Sequence, residues 1–146
     1  EDTEKAGAAL GRIAPRGLYL ALCGELGGGK TTFVRGLAAG MGAREQVASP
    51  TFVLMREYKG AVMPLYHADY YRLDTGADLT GLDIEYCLET GVLASEWADK
   101  FAHPEGAPAL KLLFEWVSDN ERSITISCTN EEAKEVFQKF IESIES

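Results

Sequence analysis

The residues best placed to do chemistry lie together near the amino end. Gly24-Glu25-Leu26-Gly27-Gly28-Gly29-Lys30-Thr31 has the spacing of a Walker A loop: a glycine, four residues, then Gly-Lys-Thr. Glycines at these positions let consecutive backbone N–H groups turn inward around phosphate oxygens, and the helix that follows presents its positive end to the same anion. Lys30 would reach the β- and γ-phosphates as a point charge, and the Thr31 hydroxyl would serve as one of the few protein ligands of Mg²⁺. The pattern specifies phosphates but not the base. The Asn/Thr-Lys-x-Asp element that reads guanine is missing, which disfavours a GTPase. Asp78-Leu79-Thr80-Gly81 imitates an Asp-x-x-Gly switch but follows a polar stretch rather than a strand, so we set it aside.

Hydrolysis needs a further carboxylate to organise metal and a group to position water, usually at strand ends facing the phosphate loop. Asp69, which closes the strand-like run 62–67, and Glu96, which ends the run 91–95, occupy such positions. By residue type alone either could equally be a surface acid or a helix cap. Ser49-Pro50-Thr51-Phe52 follows the glycine loop at a distance where a mobile segment could bring the Thr51 hydroxyl to metal or γ-phosphate, or it is an ordinary proline turn opening a strand. His67 and His103 read as structural residues. Trp97 and Trp116 read as core, although Trp97, beside Glu96, could line a nucleotide site.

The elements that must hold these residues can be sketched from periodicity. Residues 3–13 read as a helix with Ala6, Ala9, Leu10 and Ile13 on one side. Residues 18–23 form a short apolar strand entering the glycine loop, and residues 31–41 the helix leaving it. Runs 53–58 and 62–67 flank the turn signal Lys59-Gly60, and 91–96 is a weaker strand. Runs 109–116 and 123–128, joined by Ser118-Asp119-Asn120-Glu121, suggest an antiparallel pair. Thr129 with Glu132 looks like a capping box ahead of Ala133, Val136, Phe137, Phe140, Ile141 and Ile144 at helical spacing. Helices between early strands and hairpins between later ones imply an α/β fold, a mixed parallel and antiparallel sheet with helices on its faces.

Composition bounds what such a fold can do. At 146 residues with 46% hydrophobic content the chain is expected to form one domain with its own core. Its 14 basic and 23 acidic residues leave a net charge of -9, which argues against gripping a nucleic-acid backbone over a wide face. Cys23, Cys87 and Cys128 lack the paired spacing of a zinc site or redox dithiol, so we expect buried thiols in a reducing compartment. No run is long and apolar enough for a membrane span and the amino end is charged, so a cytoplasmic location is expected.

With these residues in view, the chain resembles the bacterial TsaE (YjeE) ATPases, which support threonylcarbamoyladenosine modification of tRNA. The resemblance rests on Gly24 through Thr31 with Thr32, on Ser49-Pro50-Thr51-Phe52, on His67-Ala68-Asp69-Tyr70-Tyr71-Arg72-Leu73 and on Glu96-Trp97, in family order and approximate spacing. It implies a P-loop ATPase fold, ATP and Mg²⁺ as ligands, and Thr31, Asp69 and Glu96 organising metal and water. It further implies a switch at residues 49–52, and TsaD and TsaB as partner proteins that handle the tRNA. Glu25 stands where the family usually has Asp, Gly28 where Ala or Ser is common, and Ser95 in a usually apolar strand; none of these removes a phosphate or metal ligand. Two other functions fit the loop. A small-molecule or nucleotide kinase would need an acceptor pocket and clustered arginines, whereas the arginines here are scattered. A nucleotide-gated binding module would act by occupancy with little hydrolysis.

Overall fold

Buried strands form the centre of the molecule. In the computed structural model, which describes residues 2–24, 29–44, 55–69, 84–96, 108–119, 121–128 and 130–145, six strands make one sheet in the order β2-β3-β4-β1-β5-β6. They are β1 (Tyr19–Gly24), β2 (Met55–Lys59), β3 (Pro64–Asp69), β4 (Val92–Glu96), β5 (Ala109–Ser118) and β6 (Glu121–Cys128). The inner four, β3, β4, β1 and β5, run parallel. Each outer strand returns antiparallel on its neighbour, β2 on β3 and β6 on β5. The sheet is therefore of mixed direction, as the two hairpin signals implied.

Among the described residues four helices accompany the sheet: α1 (Asp2–Ile13), α2 (Lys30–Gly40), α3 (Ile84–Thr90) and α4 (Lys134–Glu145). Strand alternation sends Leu18, Leu20 and Leu22, then Leu110, Leu112 and Phe114, into one core with Leu10 of α1, Phe33 and Leu37 of α2, and Phe140 of α4. Phe33 meets the Phe114 ring edge-on at 5.7 Å and the Phe140 ring at 6.5 Å, which ties α2 to both β5 and α4. The opposite alternation, Tyr19, Tyr66, Ala68, Leu93 and Ala109, packs with Cys87 of α3 in a smaller core. There the Tyr66 hydroxyl hydrogen-bonds the Thr90 hydroxyl at 2.8 Å. Burial pushes the Tyr66 phenol above its usual value of 10.0, against the lowering effect of that hydrogen bond.

Helices α1 and α2 approach more closely than side chains permit. A Cβ added at Gly7 would overlap the Phe33 carbonyl, one at Gly36 the Glu4 carbonyl, and one at Gly40 the Ala8 carbonyl. Backbones therefore pack directly on one another, and α1 is held against the helix that leaves the glycine loop.

Several local expectations are corrected. Helix α3 carried no clear sequence pattern and was not anticipated. The second strand of the first hairpin begins at Pro64 rather than at residue 62 and runs through His67 to Asp69, which closes it. The second hairpin's strands extend inward to Ser118 and Glu121. The carboxy-terminal helix is entered through a 3-10 turn, Glu131–Ala133, capped by Asn130, whose side chain accepts from the Ala133 N–H at 3.2 Å. Thr129, expected as the cap, lies outside the described residues. Cys23 and Cys87 are buried free thiols, but Cys128 is only half-buried.

Candidate functional site

Parallel strands deliver their last residues to one edge of a sheet, and open α/β sheets bind ligands outside that carboxyl edge. Here β1 ends at Gly24, β3 at Asp69 and β4 at Glu96. The register places the Glu96 Cα opposite those of Leu22 on one side and Asp69 on the other. Residues distant in sequence thus arrive at neighbouring strand ends.

The loop's two described ends show why glycine is needed. Gly24 has φ 126°, and a Cβ there would overlap the Phe114 carbonyl of β5. Gly29, at φ 102°, precedes α2 in left-handed backbone conformation, and its carbonyl accepts from the Phe33 N–H at 2.9 Å to close the first helical turn. Between them Glu25, Leu26, Gly27 and Gly28 lie outside the described residues, so the middle of the cradle does as well. Lys30 opens α2 buried, at 5% exposure, with its ammonium donating to the Gly24 carbonyl at 2.7 Å. That contact spans the loop from its last residues to its first and aims the charge at the strand end. Thr3, in the first turn of α1, stands beside Gly29.

Thr31 and Glu96 meet. The Thr31 hydroxyl donates to Glu96 Oε2 at 3.2 Å, linking the start of α2 to the end of β4. The same Oε2 lies 2.5 Å from His67 Nε2. Strand alternation explains the second contact: His67 follows Leu65 on β3, Glu96 follows Val92 and Ala94 on β4, and all lie on the face that α2 covers. His67 is fully buried and Glu96 is 4% exposed. A carboxylate so enclosed needs donors, and two of them converge on one of its oxygens.

A hydroxyl and a carboxylate are hard oxygen ligands. They suit Mg²⁺, which takes one or two protein carboxylates and completes its shell with phosphate oxygens and water. Among the described residues no group of three or more His, Cys, Asp and Glu side chains is gathered. Thr32 is half-buried in the first turn of α2. Asp69 takes its place at the end of β3 beside Glu96 by backbone register. Thr51, with the rest of residues 49–52, and Trp97 lie outside the described residues, as do His103 and residues 78–81.

A family model described as threonylcarbamoyl adenosine biosynthesis protein TsaE matches residues 1–134. The chain belongs to the TsaE family. It is 39% identical over 127 residues to the tRNA threonylcarbamoyladenosine biosynthesis protein TsaE of Bacillus subtilis, which covers 87% of this chain and 80% of that protein. The Treponema pallidum TsaE is 36% identical over 128 residues, covering 87% of this chain and 94% of its own. The crystal structure of Bacillus subtilis YdiB superposes with a TM-score of 0.77 at 31% identity, over 96% of this chain and 87% of that one. The fold class and the family resemblance read from the sequence are thereby borne out.

Two features of this TsaE-family site escaped the sequence reading. His67 was taken as structural, yet it contacts Glu96 directly. An alternating strand carrying a lone imidazole between Leu65 and Asp69 is a local signal for a buried polar partner, but only the β3–β4 register names that partner. The nearness of Thr3 to Gly29 left no local signal, because it depends on how α1 crosses α2.

Proposed function

We propose that this protein is an ATPase of tRNA threonylcarbamoyladenosine biosynthesis, binding ATP·Mg²⁺ at residues 24–32 and using hydrolysis to drive partner proteins of the modification machinery. The observation that carries the reading is the junction of Thr31 with Glu96 beside the buried Lys30, at the carboxyl edge of the parallel strands. Lys30 supplies charge to the β- and γ-phosphates, and the loop N–H groups and the start of α2 supply aligned dipoles. Thr31 and Glu96, which meet, with Asp69 at the adjoining strand end, would hold the metal and orient the attacking water. When bound, Mg²⁺ would supply charge neutralisation at the phosphate oxygens.

The pathway follows from family membership, since the B. subtilis and T. pallidum relatives carry it in their names. The partners that the resemblance implies are TsaD and TsaB. With a net charge of -9 the protein opposes an RNA backbone, so tRNA is handled by those partners and contacted only indirectly. Among the described residues no helix is long and apolar enough to cross a membrane, and the site of action is the cytoplasm, where tRNA is modified. Reconstitution tests the whole reading: tRNA modification by TsaD and TsaB, with ATP, should depend on this chain, and ADP should form without any phosphoryl acceptor. Modification that proceeds equally well without the chain would overturn the pathway assignment. Phosphate transfer to a small acceptor would replace the ATPase with a kinase.

A further inference from the structure

His67 is a histidine with one nitrogen committed and the other sealed off. Its Nε2 lies 2.5 Å from Glu96 Oε2, its side chain has no exposure, and its Nδ1 is buried without a hydrogen-bond partner among the described residues. A water-activating base needs a nitrogen within reach of solvent or substrate. Neither nitrogen offers that, so the imidazole is not the group that takes a proton from water. An ionised carboxylate can only accept, so the imidazole donates to it from Nε2. His67 lies inside the sheet, register-paired with Ala94 on β4 and with Arg56 on β2, in a strand whose adjoining residues Leu65, Tyr66 and Ala68 are all buried.

Resting on the ATPase reading above, we infer that His67 is a positioning residue that fixes the Glu96 carboxylate through an Nε2–H donor, so that the other donor to the same oxygen, Thr31, and Glu96 remain together at the phosphate loop. A carboxylate at the end of a strand has free rotation about its side-chain bonds unless something holds it. Here Oε2 is held from β3 by His67 and from α2 by Thr31, and the remaining oxygen keeps its capacity to bind. Holding a metal-ligating side chain by a buried hydrogen bond is a general device, and removing the holder typically costs about 10–100-fold in metal affinity or activity.

The experiment compares His67→Leu, His67→Gln and His67→Asn, each verified as folded by thermal melting. Glutamine places an amide N–H near the reach of Nε2, whereas asparagine places one near Nδ1. His67→Leu and His67→Asn should lose roughly 10–100-fold in kcat or in Mg²⁺ affinity measured with a non-hydrolysable ATP analogue, while metal-free nucleotide affinity stays put. His67→Gln should recover most of the loss. In a Glu96→Gln background the His67→Leu loss should shrink, because the group it positions has gone. Nitrogen-15 spectra of the nucleotide-free protein, carrying His103→Gln to leave one histidine, should show the proton on Nε2. The inference is overturned by an Nε2 that carries no proton, by equal behaviour of the glutamine and asparagine variants, or by a loss that is undiminished in the Glu96→Gln background. Failure of the ATPase reading would look different: no turnover by the unaltered protein with its partners, while the tautomer and the Mg²⁺ titration still decide the role of His67.

Discussion

Lys30 brings a full positive charge to a position only 5% exposed and anchors it on the Gly24 carbonyl. Burying an ammonium there is costly unless an anion shares the site, which is why the loop's affinity should depend on it. Lys30→Ala removes a charge-assisted contact worth about 1.5–3 kcal/mol, so calorimetry should find ATP bound roughly 10–100-fold more weakly. Unchanged affinity in a folded variant would move the nucleotide elsewhere. Glu96→Gln and Asp69→Asn should behave oppositely, depressing turnover by roughly 100-fold or more while leaving ATP affinity nearly intact, because charge lost at metal and water is felt chiefly in the transition state. Steady-state kinetics beside equilibrium titration separates the two patterns, and near-normal turnover in both variants would relocate the chemistry. At this scale the sequence was most legible where function is written in consecutive residues. Gly24, Gly29, Lys30 and Thr31 declare themselves by spacing. Glu96 was found as an end-of-strand acid, but its bonds to Thr31 and His67 bridge 65 and 29 residues, and no local pattern encodes such pairings.

The strands and helices around the site were legible to within a few residues because each carries its own periodicity. The exceptions have physical causes. Helix α3, Ile84–Thr90, is too short for a 3.6-residue period to emerge. The last helix took its cap from Asn130, whose side-chain Oδ1 accepts from the Ala133 N–H and also from the Ala109 N–H of β5 at 3.2 Å, a tertiary contact that decided the entry. The glycines of α1 and α2 look like poor helix formers until their neighbours are known. Gly36→Ala would gain about 1 kcal/mol of helix propensity in isolation. In this protein the new methyl group would strike the Glu4 backbone, which no rotamer change relieves. Overpacking of this kind costs about 1–3 kcal/mol. Urea denaturation should therefore show a net loss of stability, and a variant as stable as the parent would mean that the helices part without penalty.

The parallel centre of the sheet with a returning strand at each side was legible as an architecture, since two hairpin signals flank the αβ units. The order β2-β3-β4-β1-β5-β6 was not, because strand order is set by crossovers and packing that leave no trace in any one segment. One of those returning strands has a consequence for handling the protein. Between Ser123 and Cys128 strand β6 carries no charge, and among the described strands only β5 pairs with it. Such a segment, rich in β-branched residues, is a template for intermolecular pairing whenever heat loosens the molecule. Thr125 is exposed, facing Leu113 of β5 across the ladder. A lysine there should raise the temperature at which light scattering begins, while a surface change of this kind leaves the unfolding free energy within about 0.5 kcal/mol. If scattering and unfolding shift together, or neither moves, precipitation starts from some other part of the chain.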